Sequence, residues 1–251
     1  MRPLKAWSRL EPPASGPAPG LRSCRKPVEV EMGGAPTERE LRDEIVRVCR
    51  LMYERGYIAA TEGNVSARLN EDRLLVTPSG LCKGLLSPDQ LVVVDMEGRR
   101  IGPGPRPTTE LAMHLEAYRR RPDIGAVVHA HPPITVALSI AGLPLADQLL
   151  PELIVTLGSI PTAEYATPST AEGAEAIRDL IRDHDALILP WHGTLTVGKD
   201  PLDAYFTLER VEHAARIALI LRQLGRERPL PPEAVAKLLR MRSKPETNAP
   251  A

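Results

Sequence analysis

Gly125-Ala-Val-Val-His129-Ala-His131-Pro132 is the stretch on which the fold of this chain turns. Gly125 to Val128 is a short, wholly apolar run bounded by Gly and Pro, the pattern of a buried strand. Along a strand, residues i and i+2 project to the same face, so His129 and His131 present two imidazoles side by side where the strand ends. Downstream, Ala186-Leu-Ile-Leu189 is a second buried-strand candidate running into His192, and upstream Thr108-Thr109 leads to Glu110. One histidine at a strand end is ordinarily structural. Three histidines and a carboxylate at the ends of apolar strands suit a divalent cation such as Zn²⁺.

Around this stretch the chain alternates helices with small groups of strands. Thr37-Glu-Arg-Glu40 is a capping-box pattern, followed by Leu41, Ile45, Val48, Cys49 and Met52 at helical spacing, with Gly56 as the stop. Strands are expected over 65–69, 74–77 and 91–95, the first two joined by a turn at Asn70-Glu-Asp72. Thr108 or Thr109 caps a helix running to Arg121, which Pro122 ends. After the His129 strand the pattern gives a helix over 133–140, a strand near 154–157 and a helix over 170–182. The Ala186 strand then takes 195–197 as its hairpin partner, and helices cover 202–224 and 232–240. Strands that come in adjacent groups as well as between helices indicate an α/β protein with a mixed, mainly antiparallel sheet.

Composition removes several classes of function. Basic and acidic residues balance at 32 each, so no global field favours nucleic acid or an anionic membrane. With one Phe and two Trp, no basic stripe interleaves with aromatics, and nucleic-acid binding is not expected. No apolar stretch is long enough to span a bilayer, and the N-terminus lacks the apolar core of a secretory signal. Cys24, Cys49 and Cys82 have no metal-like spacing and read as reduced thiols of a cytoplasmic protein. Residues 1–36, rich in Pro and Gly, are expected to be a disordered tail, with Met32 as a candidate true start of translation. Residues 37–242 form the expected catalytic domain, and 243–251 a flexible C-terminal tail.

Taken in order, Gly63-Asn64-Val-Ser66, Thr77-Pro-Ser79-Gly80, Pro107-Thr-Thr-Glu110, His129-Ala-His131, Tyr165 and His192-Gly193 resemble the class II aldolase/adducin family, and within it the L-fuculose-1-phosphate aldolase group. The resemblance runs from Thr37 to Arg240 and implies a single three-layer domain, with helices on both faces of the sheet. It also implies that His129, His131 and His192 ligate Zn²⁺ or another divalent metal (Mn²⁺, Co²⁺ or Fe²⁺). Glu110 would complete the empty site and then swing away as acid/base, and Asn64, Ser79, Gly80, Thr108 and Thr109 would bind a substrate phosphate. Tyr165 would serve the active site of a neighbouring subunit, so that the protein is a homotetramer with active sites at its interfaces. In this chain Thr108-Thr109 stands where such aldolases carry Ser-Ser, which keeps both hydroxyls and adds two methyls beside the anion. Lys83 is a nearby cation read as solvated surface, and His114, His184 and His213 are read as surface or packing residues.

The activity this implies is cleavage of a ketose 1-phosphate, of the fuculose or 5-deoxy- or 5-methylthioribulose type, to dihydroxyacetone phosphate and an aldehyde. A bound divalent cation acts as the electron sink, so no Schiff-base lysine is needed. The alternatives on the same fold are a methylthioribulose-1-phosphate dehydratase, a sugar-phosphate epimerase and a metal-dependent decarboxylase. Tyr165 and the hydroxyl-Glu110 pair favour the aldolase. A non-catalytic adducin-like scaffold is expected to lose ligands that this chain keeps.

Overall fold

The computed structural model describes residues 36–145 and 150–242. Its elements, in chain order, are α1 (Glu38–Glu54), β1 (Asn64–Arg68), β2 (Arg73–Val76), β3 (Val92–Asp95), β4 (Arg100–Ile101), α2 (Leu111–Arg120), β5 (Ala126–Ala130), α3 (Pro133–Ile140), α4 (Pro151–Thr156), α5 (Ala171–Ile177), β6 (Ala186–Leu189), β7 (Gly193–Gly198), α6 (Pro201–Gln223) and α7 (Pro232–Arg242). The strands form one sheet in the order β4-β3-β2-β1-β5-β7-β6, with every neighbouring pair antiparallel.

β5 is the hub of this sheet, paired with β1 on one side and β7 on the other. Its alternation builds both layers of core. Ala126, Val128 and Ala130 pack with Ile45 and Met52 of α1 and Leu208 of α6, while Val127 packs with Met113 and Leu115 of α2 and Ile177 of α5. Helices therefore cover both faces, as expected of a three-layer domain. Burying each such Val, Leu or Ile stabilises the fold by about 1.5–3 kcal/mol.

Local chemistry sets the element ends. The capping box of α1 is formed: Thr37 Oγ1 accepts from the Glu40 amide at 3.3 Å, and the Glu40 carboxylate accepts from the Thr37 amide at 2.8 Å. Asn70 Oδ1 accepts from the Asp72 amide at 3.0 Å, which closes the β1–β2 turn.

Three expectations are corrected. The apolar run near 154–157 is not a strand but helix α4, because Pro151 presets the first helical turn and the helix buries Leu153, Ile154 and Leu157. Neither Thr108 nor Thr109 caps α2. Glu110 occupies the N-cap position, and Thr108 Oγ1 instead accepts from the Glu110 amide at 3.3 Å. The helix expected over 170–182 stops at Ile177, and a separate 3₁₀ turn follows at Leu180–Arg182. The two-residue strand β4 is an addition too short to carry a periodic signal.

The tails expected over 1–36 and 243–251, Pro36 and the domain body apart, lie outside the described residues, as does the proposed start at Met32. Among the described residues no helix is long and apolar enough to cross a membrane. Cys49 and Cys82 are unpaired, and burial pushes the Cys49 thiol up to about 12, so it behaves as a packing group.

Candidate metal centre and active site

The sheet register assembles the centre. His129 lies on β5 directly opposite Asn64 of β1 and Leu195 of β7, and it is fully buried. His131 follows one residue beyond the strand, where its amide donates to the Tyr57 carbonyl at 2.9 Å. His192 sits in the tight β6–β7 turn, its amide donating to Leu189 O at 3.1 Å. Gly193 is required there: a Cβ would stand 2.3 Å from Ala130 O and 2.8 Å from the His131 ring. Gly63, at φ +66°, likewise brings the chain against Ile58 and the His129 carbonyl just before Asn64. The three rings lie 4.7–5.0 Å apart centre to centre, and one ligand atom of each falls within 4.8 Å of the others.

Glu110 closes the fourth side. Its Oε2 lies 3.0 Å from His129 Nε2 and its Oε1 3.2 Å from His192 Nε2, while Asn64 Nδ2 donates to Oε2 at 2.9 Å. Burial alone would raise the Glu110 carboxyl; His129, His192 and Asn64 outweigh it and hold the group far below the usual carboxylate range. Burial pushes the His131 imidazole down to about 4, so its ring is unprotonated at neutral pH.

The orienting hydrogen bonds test whether a cation fits. His129 Nδ1 donates to Thr194 O at 2.9 Å, and His131 Nδ1 meets Glu62 Oε2 at 3.1 Å. Each Nδ1 therefore carries the hydrogen, and each Nε2 is left to face the centre. Those two Nε2 atoms are 3.0 Å apart. Without a shared proton, facing lone pairs would repel at that distance, and a cation between the two nitrogens would satisfy both. Three imidazoles and a carboxylate fit a divalent transition metal. The centre opens into a cleft lined by Glu110, Met113, Thr167, Ser169, Leu189 and His192.

The residues expected to hold phosphate fall into two neighbouring segments. Thr108 N donates to Thr77 O at 3.1 Å and Ser79 N to Arg106 O at 2.9 Å, bringing Ser79 and Gly80 beside Thr108 and Thr109. Thr109 Oγ1 lies 2.9 Å from Ser169 Oγ, a residue that lines the cleft. Asn64 is engaged at both ends, by Glu110 and by His114. Tyr165 makes no hydrogen bond among the described residues; its ring is 60% exposed and packs edge-on to Trp191, centroids 6.2 Å apart. One chain thus brings together the three histidines, Glu110 and Asn64, with Tyr165 on the exposed face beside Trp191. Trp191 itself sits at φ +58°, a left-handed conformation that costs a bulky residue about 1–2 kcal/mol, immediately before His192.

Sequence reasoning missed the orienting groups Glu62 and Thr194 and the polar contacts of His114, and it misread Lys83. Lys83 is not solvated: it is 2% exposed, and its ammonium donates to Thr61 O at 2.7 Å and Leu81 O at 2.9 Å, tying together the loops that carry Asn64 and Gly80. His114 is fully buried, bound to Ser66 and Asn64. Its position four residues after Glu110 on one helical face was the available signal. His184 and His213 are a half-buried packing residue and an exposed one.

The model of the Class II Aldolase and Adducin N-terminal domain matches residues 43–219. The 3-oxo-tetronate 4-phosphate decarboxylase of Escherichia coli (strain K12) is 32% identical over 191 residues, which cover 74% of this chain and 90% of that protein. The L-fuculose phosphate aldolase of Methanococcus vannielii is 37% identical over 175 residues, covering 69% of this chain and 93% of that one. Among solved structures, YgbL of Escherichia coli superposes with a TM-score of 0.76 at 31% identity, over 80% of this chain and 99% of that chain. An L-fuculose 1-phosphate aldolase gives 0.73 at 27% identity, over 80% and 94%. This chain belongs to the class II aldolase and adducin family.

Proposed function

We propose that this protein is a divalent-metal-dependent lyase, with Zn²⁺ as the metal, that cleaves a ketose 1-phosphate to dihydroxyacetone phosphate and an aldehyde. The observation that carries the reading is the convergence of His129, His131 and His192 on one point, with Glu110 closing the group and lining the adjoining cleft. When bound, the metal supplies Lewis acidity toward the substrate's carbonyl oxygen. The three imidazoles hold it, each fixed by its own outer contact or turn.

The remaining chemistry belongs to the chain. Ser79, Gly80, Thr108 and Thr109 supply hydroxyls and backbone amides for the phosphate, with Asn64 at the edge of the group. In cleavage, the C4 hydroxyl loses its proton, the C3–C4 bond breaks, and its electron pair remains with the three-carbon ketone fragment. Tyr165 of a neighbouring subunit takes the hydroxyl proton, and Glu110 returns a proton to C3. The exposure of Tyr165 suits that assignment, which makes the working form an oligomer, a homotetramer in our reading. The enzyme would act in the cytoplasm on a small phosphorylated sugar.

Decarboxylation of a 3-oxo sugar-acid phosphate is the second reading. The similarity to the Escherichia coli decarboxylase favours it, since loss of CO₂ needs the same electron sink but no base for a departing aldehyde. One panel separates the two: fuculose 1-phosphate, 5-deoxyribulose 1-phosphate and 3-oxo-tetronate 4-phosphate, each with and without chelator. Chelator-sensitive release of dihydroxyacetone phosphate is the expected result. CO₂ release without that triose phosphate would replace the aldolase with the decarboxylase.

A further inference from the structure

Behind Glu110 runs a line of buried polar groups that the cleavage chemistry does not use. Asn64 Nδ2 donates to Glu110 Oε2 at 2.9 Å; Asn64 Oδ1 meets His114 Nε2; His114 Nδ1 lies 2.6 Å from Ser66 Oγ; and Ser66 Oγ lies 3.0 Å from Tyr118 OH. Asn64, Ser66, His114 and Tyr118 are at most 3% exposed, so water does not complete these contacts. We propose that these four residues form a hydrogen-bond chain of fixed direction that aims the Asn64 amide at Glu110, with His114 as its positioning residue. The proposal rests on the role given above to Glu110.

The direction follows from the donors and acceptors alone. A carboxylate only accepts, so the Asn64 group facing Glu110 must be the NH₂. Asn64 Oδ1 then faces His114, and it too only accepts, so His114 Nε2 carries the hydrogen. Burial keeps the His114 imidazole neutral, so Nδ1 is a lone pair and Ser66 must donate its hydroxyl hydrogen to it. Ser66 Oγ is left to accept from Tyr118 OH. Reversing any link would turn the Asn64 carbonyl onto the Glu110 carboxylate. Asn64 has two nearly isosteric amide orientations, and Glu110 on one side and His114 on the other hold the same one.

The geometry explains why this device is available here. Asn64 faces His129 across the β1–β5 ladder, and His114 lies one helical turn beyond Glu110, so the helix and sheet each contribute alternate links. Small movements of Glu110 on gaining or losing a ligand would therefore occur against a fixed amide rather than a rotating one.

The test combines a spectroscopic readout in metal-free protein with a double-mutant cycle. Imidazole ¹⁵N shifts of His114, assigned by their absence in His114→Gln, should report the Nε2–H tautomer; an Nδ1–H ring would overturn the proposal. Gln at this position can still donate to Asn64 and should retain most of kcat, whereas His114→Leu should lose about 10- to 100-fold in kcat with little change in KM, the range for outer contacts of a metal site. In the Asn64→Ala background the same Leu substitution should have almost no further effect. Wild-type kcat in His114→Leu, or additivity with Asn64→Ala, would remove the positioning role. If His114→Leu does not fold, the tautomer and the His114→Gln kinetics still decide. Wild-type protein with the Nε2–H tautomer but no chelator-sensitive lyase activity would leave the chain of bonds standing and sink the proposed function instead.

Discussion

Glu212 is the residue whose loss should register most strongly outside the metal centre. It projects from α6, is 1% exposed, and accepts from Ile134 N at 2.9 Å, Thr135 N at 2.9 Å and Thr135 Oγ1 at 2.7 Å. These donors belong to the first turn of α3, whose own N-cap, Pro132, has no side-chain acceptor to offer. Glu212 is thus a cap supplied from another helix, and the turn it caps begins two residues after His131. In Glu212→Ala the Thr135 hydroxyl can rotate elsewhere, but the buried Thr135 amide and the part-buried Ile134 amide lose their acceptor. At about 1.5–3 kcal/mol for each hydrogen bond to a charged group, the expected loss is about 3–6 kcal/mol. That is a large share of the about 5–15 kcal/mol by which domains are stable. Equilibrium urea unfolding of metal-free protein at one fixed concentration is the assay, so that neither ligand nor subunit mass action moves the midpoint. With a slope of about 3 kcal/mol/M, the midpoint should fall by at least about 1 M without a change in slope. A loss below about 1 kcal/mol would refute the reasoning, since it would mean that water or a shifted backbone satisfies those amides.

Three further outcomes are expected. His131→Ala should lose metal, measured by elemental analysis after dialysis, while Glu110→Gln should keep most of it and lose turnover by about 10²-fold or more. Burial depresses His114 from 6.5 to about 3, so below pH 6.5 the unfolded chain binds a proton that the folded one refuses. The corresponding stability is complete above pH 6.5 and drains as pH falls toward 3, by about 2 kcal/mol at pH 5, and His114→Gln should flatten this part of the metal-free profile, as denaturant titrations at several pH values would register. Finally, if Tyr165 serves a neighbour's site, mixing inactive Tyr165→Phe and Glu110→Gln subunits under conditions of exchange should restore activity that neither shows alone; persistent inactivity in proven mixed oligomers would count against the shared site.

Much of this arrangement can be read in the sequence, and the reasons are local. The β5 run needs no periodicity to declare itself, because an apolar stretch between Gly125 and Pro132 has few other fates. The capping box at Thr37 and the hairpin turn at Asn70 carry their own hydrogen bonds within a few residues. What stayed hidden depends on register or tertiary packing. Thr194 orients His129 only because β7 pairs with β5 in one particular alignment, and Asn64 reaches Glu110 only because it lies opposite His129. Ile154 and Val155 favour a strand by propensity, yet Pro151 starts a helix whose Leu153 and Leu157 pack into the core with Val211 and Ala214 of α6. Lys83 looked like a surface cation because no short-range pattern reveals that two loop carbonyls will enclose it.

The central place of β5 has a consequence for how the protein comes to be folded. Both of its neighbours are remote in the chain, β1 far before it and β7 far after it, so neither ladder forms until long loops have closed. Such pairings are slow to form, because the entropy of closing the loops is lost before the contacts are gained. Glu110, His129 and His192 meet only after that event, leaving the nascent chain no more than the His129 and His131 pair with which to catch a cation. On this order of events a metal would enter a finished scaffold rather than direct its construction, and the helices and sheet would stand without it. This separates the protein from small domains that are unfolded until a cation arrives, and stripping the metal should silence the enzyme while leaving its architecture in place.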